Sequence, residues 1–176
     1  MMEMRHSPRA SPALCATVLL VSPVPLAAQR RIPERPCGVW LTVGLGAGWI
    51  HETAFAGAAS LSYRSGASVL VWRVTGVAEL FGDGMWDTGL LYGRATRTRA
   101  FETWAAVGVG LADGTRSPSF FGQTYQLSSV VGIPLEAHLT WTPASWFGLG
   151  LYGFADVNHS QSFGGVALGI DLGLLQ

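Results

Sequence analysis

The feature that most constrains this chain is a two-residue alternation of apolar with small or polar side chains, recurring from Gly38 to Leu174. Successive side chains of a β-strand point to opposite faces, so this pattern marks strands with two unlike faces. The first run, Val39 to Ile50, sets Leu41, Val43, Leu45, Ala47 and Trp49 against Thr42, Gly44, Gly46 and Gly48. Further runs follow at 57–64, 68–80, 86–96, 101–112, 128–142, 146–157 and 162–174. Turn residues separate them, including Ser65-Gly66, Gly82-Asp83-Gly84 and Pro143-Ala144-Ser145. Helix signals are nearly absent. Eight runs leave about 17 residues per strand and connection, enough for the ~9–11 residues of a tilted membrane-spanning strand and a short turn. The run at 57–64 is the shortest. In the run at 86–96 the neighbours Leu90 and Leu91 leave the two faces unassigned. Residues 113–126 are expected to form the longest loop, and Pro134 to mark a bulge or an irregular strand start.

Alternation alone does not say which face is inside. A soluble barrel turns its apolar face inward, and a membrane barrel turns it toward lipid. Three features favour the membrane arrangement. The polar face is glycine-rich (Gly44, Gly46, Gly48, Gly108, Gly110, Gly148, Gly150, Gly165 and Gly169), where a water-facing sheet would carry Lys, Glu and Thr. The chain has no lysine, and 12% of its residues are charged against a usual ~25%. The second feature is charge of both signs on that face. Arg64, Arg73, Glu79, Glu136, His138, Asp156 and Asp171 are expected to form a structural polar network in the lumen, where charges must pair to offset desolvation. Third, Trp40 and Trp49 bracket the first run, and Trp86, Trp141 and Trp146 sit at other ends, as in the aromatic girdles of membrane barrels. A net charge of zero with no basic cluster argues against nucleic acid as a partner.

Residues 1–28 read as a secretory signal peptide: Arg5, His6 and Arg9 precede an apolar stretch from Ala13 to Val21, and Ala27-Ala28 offer a small-residue cleavage site. Residues 29–37 form a short periplasmic leader and 38–176 the barrel domain. After cleavage Cys37 is the one cysteine left, so no internal disulfide forms. With the leader in the periplasm, the turns at Ser65-Gly66, Arg97-Thr98-Arg99 and Pro143 are periplasmic and the 113–126 loop is external. That loop carries Phe120, Phe121 and Tyr125, a candidate contact site or a packing of the barrel rim.

From Gly38 to Leu174 the chain resembles the small eight-stranded bacterial outer-membrane β-barrel proteins, a likeness of pattern. The stretch Gly132-Ile-Pro-Leu-Glu-Ala-His-Leu-Thr-Trp-Thr-Pro, with Gly148-Leu-Gly-Leu-Tyr-Gly-Phe-Ala, looks like uncharacterised short barrels of this kind. Such proteins often end in an aromatic residue read by the assembly machinery, whereas this chain ends Leu174-Leu175-Gln176. The expected fold is an all-β, eight-stranded antiparallel up-and-down transmembrane β-barrel in the outer membrane. Its expected partners are membrane lipid and the outer-membrane assembly machinery. Its expected role is structural or interaction-based, through the outer loops, without catalysis.

Two other readings stand beside it. Some outer-membrane barrels are lipid A deacylases, but His159 and Ser160 do not match that arrangement: adjacent residues on a strand point to opposite faces, while the deacylase-type pair is two apart. A soluble exported barrel would hold a small apolar ligand in its cup. Gly44-Leu45-Gly46-Ala47-Gly48 lacks the G-x-G-x-x-G spacing and the following helix of a nucleotide loop. The histidines and Cys37 lack metal-ligand spacing, so neither metal nor cofactor is expected.

Overall fold

The computed structural model describes residues 37–79, 83–116 and 125–175. They form strands β1 (Cys37–Trp49), β2 (Thr53–Ser65), β3 (Ser68–Ala78), β4 (Gly84–Arg97), β5 (Phe101–Arg116), β6 (Tyr125–Ala144), β7 (Phe147–Val157) and β8 (Phe163–Leu174). Each strand pairs antiparallel with the next, and β8 pairs with β1 to close the barrel. Closure leaves no free sheet edge, so the backbone polar groups are satisfied within the wall, as a bilayer demands. The β2–β3, β4–β5 and β6–β7 connections are tight and lie at one end, here the turn end, with Cys37 and Leu174. Gly66 takes φ of 60° in the first of these, a conformation that favours glycine. The other four connections meet at the opposite, loop end.

The expected runs differ from the strands in four places. β2 begins at Thr53, because Ala54 and Ala56 turn inward and Phe55 outward, an alternation carried by small residues. β5 continues to Arg116 and β6 starts at Tyr125, so the two ends of the expected 113–126 loop, 113–116 and 125–126, are strand, and 117–124 lie outside the described residues. Pro134 keeps its register, with Val107 opposite Leu135 and Gly110 opposite Gly132; the β5–β6 shift falls instead between Ala112 and Gly114. β4 turns Trp86, Leu90 and Tyr92 outward and Met85, Asp87 and Leu91 inward. The expected signal peptide lies outside the described residues.

The outward wall is apolar on every strand, with residues such as Leu45, Leu61, Val107, Val131, Leu151 and Leu168 exposed. Tyr63, Tyr92, Phe101, Trp141 and Trp146 ring the turn end, and Trp49, Phe55 and Trp86 mark the loop end. Between them β6 presents outward side chains from Val131 to Trp141, a run of about 34 Å along the strand. At a tilt of ~40° it rises about 26 Å, close to the ~25 Å apolar band of membrane barrels. Trp40 departs from the expected girdle: it points into the lumen and is 2% exposed.

Trp72 sits in the middle of this wall, where an unpaired N–H would face hydrocarbon. Its indole donates to Thr88 Oγ1 at 3.2 Å, and the Thr88 hydroxyl donates to the Arg73 carbonyl at 3.1 Å. Thr88→Val removes the acceptor and is expected to lower barrel stability in phospholipid vesicles by about 1 kcal/mol. In a Trp72→Phe background that cost should vanish. Urea titration of the four proteins decides it, and an equal loss in both backgrounds would count against the pairing.

Candidate functional site: the barrel interior and the loop end

Buried side chains enter the interior from every strand, at both ends and in the middle. Glycine makes this possible at positions facing bulky neighbours. A Cβ on Gly44 would meet Tyr152 Oη at 2.5 Å, and one on Gly165 would meet the Phe154 ring at 2.7 Å. At Gly132 it would collide with the Asp156 carboxylate, and at Gly108 with the Leu90 carbonyl of the adjacent strand. Two apolar clusters occupy the halves of the lumen. Val77, Met85, Tyr152, Phe154 and Phe163 pack toward the loop end, and Trp40, Val69, Val71, Leu91 and Trp104 toward the turn end.

Arg73 spans the middle and is fully buried. Its guanidinium lies 2.5 Å from Asp87 and donates to the carbonyls of Leu135 at 2.7 Å and Ala155 at 2.9 Å. Glu136 lies 3.5 Å from the guanidinium nitrogen that reaches Leu135, the one opposite to that facing Asp87. Thr75 donates to the second Asp87 oxygen. One side chain from β3 thus ties together β4, β6 and β7. Glu136 also meets His138 Nε2 at 2.6 Å, and the imidazole is stacked between Trp104 at 3.9 Å and Tyr152 at 4.5 Å between centroids.

The other charges form separate groups. Arg64 pairs with Glu102 at 3.2 Å near the turn end, where Arg97 also reaches Glu102 at 3.7 Å and donates to the Leu175 carbonyl. Asp171 is held by hydroxyls, accepting from Thr42 at 2.5 Å and Thr140 at 2.8 Å. Asp156 accepts from Asn158 Nδ2 at 2.7 Å.

Of the seven expected network residues, Arg73, Glu136 and His138 come together. Arg64, Asp156 and Asp171 are buried in the lumen but in other groups. Glu79 lies at the loop-end rim and accepts from the Asp83 backbone N–H at 3.2 Å. Asp87 and Glu102 complete the ion pairs and were not among the expected seven. The outward Trp86 and Tyr92 fix β4 parity and place Asp87 inside; Glu102 already lay on the polar face of its run.

At the loop end, Asn158 organises the β7–β8 connection. Its Oδ1 accepts from the backbone N–H groups of Ser160 at 3.0 Å and Gln161 at 2.8 Å. His159 and Ser160 are exposed there. Among the described residues no cluster of three or more metal-ligating side chains occurs. Phe120 and Phe121 lie outside the described residues; Tyr125 opens β6. A mostly apolar cavity of about 540 Å³ lies toward the loop end, lined by outward residues such as Leu45, Phe55 and Trp86 and by the inward Val77 and Met85. Gly57 and Gly76 face each other across β2 and β3 and leave the wall thin at that point.

This barrel, with its strand charges almost all packed inside and its outer wall apolar, agrees with solved structures. The fold is that of the small outer-membrane β-barrels. Neisserial surface protein A superposes with a TM-score of 0.59 at 9% identity, over 78% of this chain and 97% of that one. The N-terminal β-barrel domain of Pseudomonas aeruginosa OprF gives 0.57 at 11% identity, over 77% and 98%. Ail, the attachment invasion locus protein of Yersinia pestis, gives 0.54 at 12% identity, over 77% and 96%. No protein-family model and no curated protein matches the sequence. At these identities the likeness is one of fold. The reading of a soluble cup with an inward apolar face is overturned by the outward apolar wall.

Proposed function

We propose that the chain is exported by its N-terminal signal peptide and serves in the outer membrane as a sealed scaffold. Its loop end faces outward and makes a structural or adhesive contact, without catalysis. The observation that carries this reading is Arg73, fully buried and bonded to three other strands across the lumen. A lumen closed in this way spends its charges on its own stability. The surface left for recognition is the loop end, since the wall is apolar. Ail has been crystallised with the heparin analogue sucrose octasulfate. The loop-end segments here carry Glu52, Glu79, Asp83 and Asp113 against Arg116, a balance that disfavours a polyanion.

The test is fractionation of cells expressing the full chain, followed by gel migration with and without boiling and by protease treatment of intact cells. The expected result is a heat-modifiable band in the outer membrane, cut from outside at the loop end. A water-soluble band without a heat shift would sink the reading. His159→Ala and Ser160→Ala are expected to leave acyl hydrolysis of lipid A at the background of an empty-vector membrane, as for the parent protein. Activity above background in the parent, lost in either variant, would favour a lipid-modifying enzyme instead.

A further inference from the structure

Among the described residues, the outward positions of the eight strands hold two charged side chains, Arg94 and Asp113. Asp113 accepts from Ser129 Oγ at 2.9 Å and from the Gly114 backbone N–H at 2.6 Å. Arg94 is exposed on β4 and has no hydrogen-bond or ion-pair partner among the described residues, in contrast to Arg64, Arg73 and Arg97. Along the outward face of β4 the order is Trp86, Thr88, Leu90, Tyr92, Arg94, Thr96. That order reads as girdle, hydrocarbon, girdle and then a cation, so Arg94 stands one outward step beyond the turn-end aromatic ring, where lipid headgroups begin.

The neighbours of Arg94 suit a phosphate. Ser68 lies directly opposite it in the β3–β4 register, and Ser68 Oγ and Tyr92 Oη are 2.9 Å apart. On the other side stands Ala105, too small to cover the guanidinium. A guanidinium presents two parallel N–H donors matched to phosphate oxygens, and the hydroxyl pair, with one hydrogen engaged in its mutual bond, adds one more. Leu70 and Leu90 continue the wall toward the bilayer centre, where acyl chains would lie.

We propose that Arg94, with the hydroxyls of Tyr92 and Ser68, binds the phosphate of a phospholipid in the leaflet at the turn end. The site rests on the outer-membrane reading above. A phosphatidylglycerol headgroup, which carries no cation of its own, is the preferred form. The fork geometry is essential, so a lysine that merely reaches the interface is a poor substitute.

The experiment places the full chain in nanodiscs of phosphatidylcholine with a minor fraction of phosphatidylglycerol, then counts lipids retained by the protein in native mass spectrometry. The parent protein is expected to retain one phosphatidylglycerol. Retention should fall about tenfold in Arg94→Gln and several-fold in Arg94→Lys. Tyr92→Phe should lose roughly threefold, which keeps the test decisive if an arginine variant does not fold. Arg99→Gln, in the adjacent exposed turn, should stay near the parent value. Unchanged retention in Arg94→Gln, or equal retention in Arg94→Lys and the parent, would overturn the site. Failure of the parent chain to enter nanodiscs as a heat-modifiable barrel would instead sink the outer-membrane reading.

Discussion

Arg73→Met should lower the stability of the folded barrel by about 3–5 kcal/mol. The substitution removes the cation but leaves Asp87 and Glu136 buried, with 0% and 2% of their side chains exposed. It also strips the carbonyls of Leu135 and Ala155 of their guanidinium donor. Breaking one partner of a buried pair costs more than the pair is worth, because the remaining charge keeps its desolvation penalty. Neutralising both sides is therefore expected to be milder, and Arg73→Met with Asp87→Asn should recover part of the loss. A double-mutant cycle in vesicles, read by urea titration, gives the coupling between the two residues. A loss below about 1 kcal/mol in the single variant would mean that Arg73 is not the tie across the lumen.

Val107→Arg should cost about 2–4 kcal/mol in phospholipid vesicles, and Thr103→Arg about 0–1 kcal/mol. Both positions face outward on β5, but Val107 lies midway between Phe101 and Asp113, while Thr103 is near the turn-end aromatic ring. An arginine at the middle of the apolar band must drag its charge through hydrocarbon, whereas one near the edge reaches water along its own stem. The depth dependence is the diagnostic. Equal and small costs at both sites, or folding of Val107→Arg without detergent or lipid, would mean that the wall does not face a bilayer.

The strand count and the division of seven runs into two faces were legible in the sequence because they rest on local alternation, while the facing came from the glycine-rich, charge-poor polar face and the tryptophans at run ends. Leu41, Val43 and Leu45 share one face whatever strand lies beside them. The second run showed less, since Ala54, Ala56 and Ala58 carry too little contrast with Phe55 and Gly57 to mark the strand's first half. Trp40 sits near a strand end, which suggested a girdle. Its even parity with Thr42 and Gly44 places it inside, and parity is the stronger signal because a one-residue change of face is not available within a regular strand.

What the sequence by itself determined is the succession of antiparallel strands and which side chains share a face, since both follow from a period of two and from turns at regular spacing; the pairing of β8 with β1 that closes the barrel belongs to the tertiary structure. Only the tertiary structure decided which interior residues meet. Arg73 reaches Asp87 on the neighbouring strand but also Glu136, 63 residues away on the far wall. Arg64, nine positions earlier and on the same polar face, pairs with Glu102 instead. Asp171, expected to find a cation, is held by Thr42 and Thr140. Strand tilt and register set the height at which each side chain enters the lumen, and a charge can pair only with groups at its own height. Alternation carries no record of that height, so the interior pairs emerge only when the barrel closes.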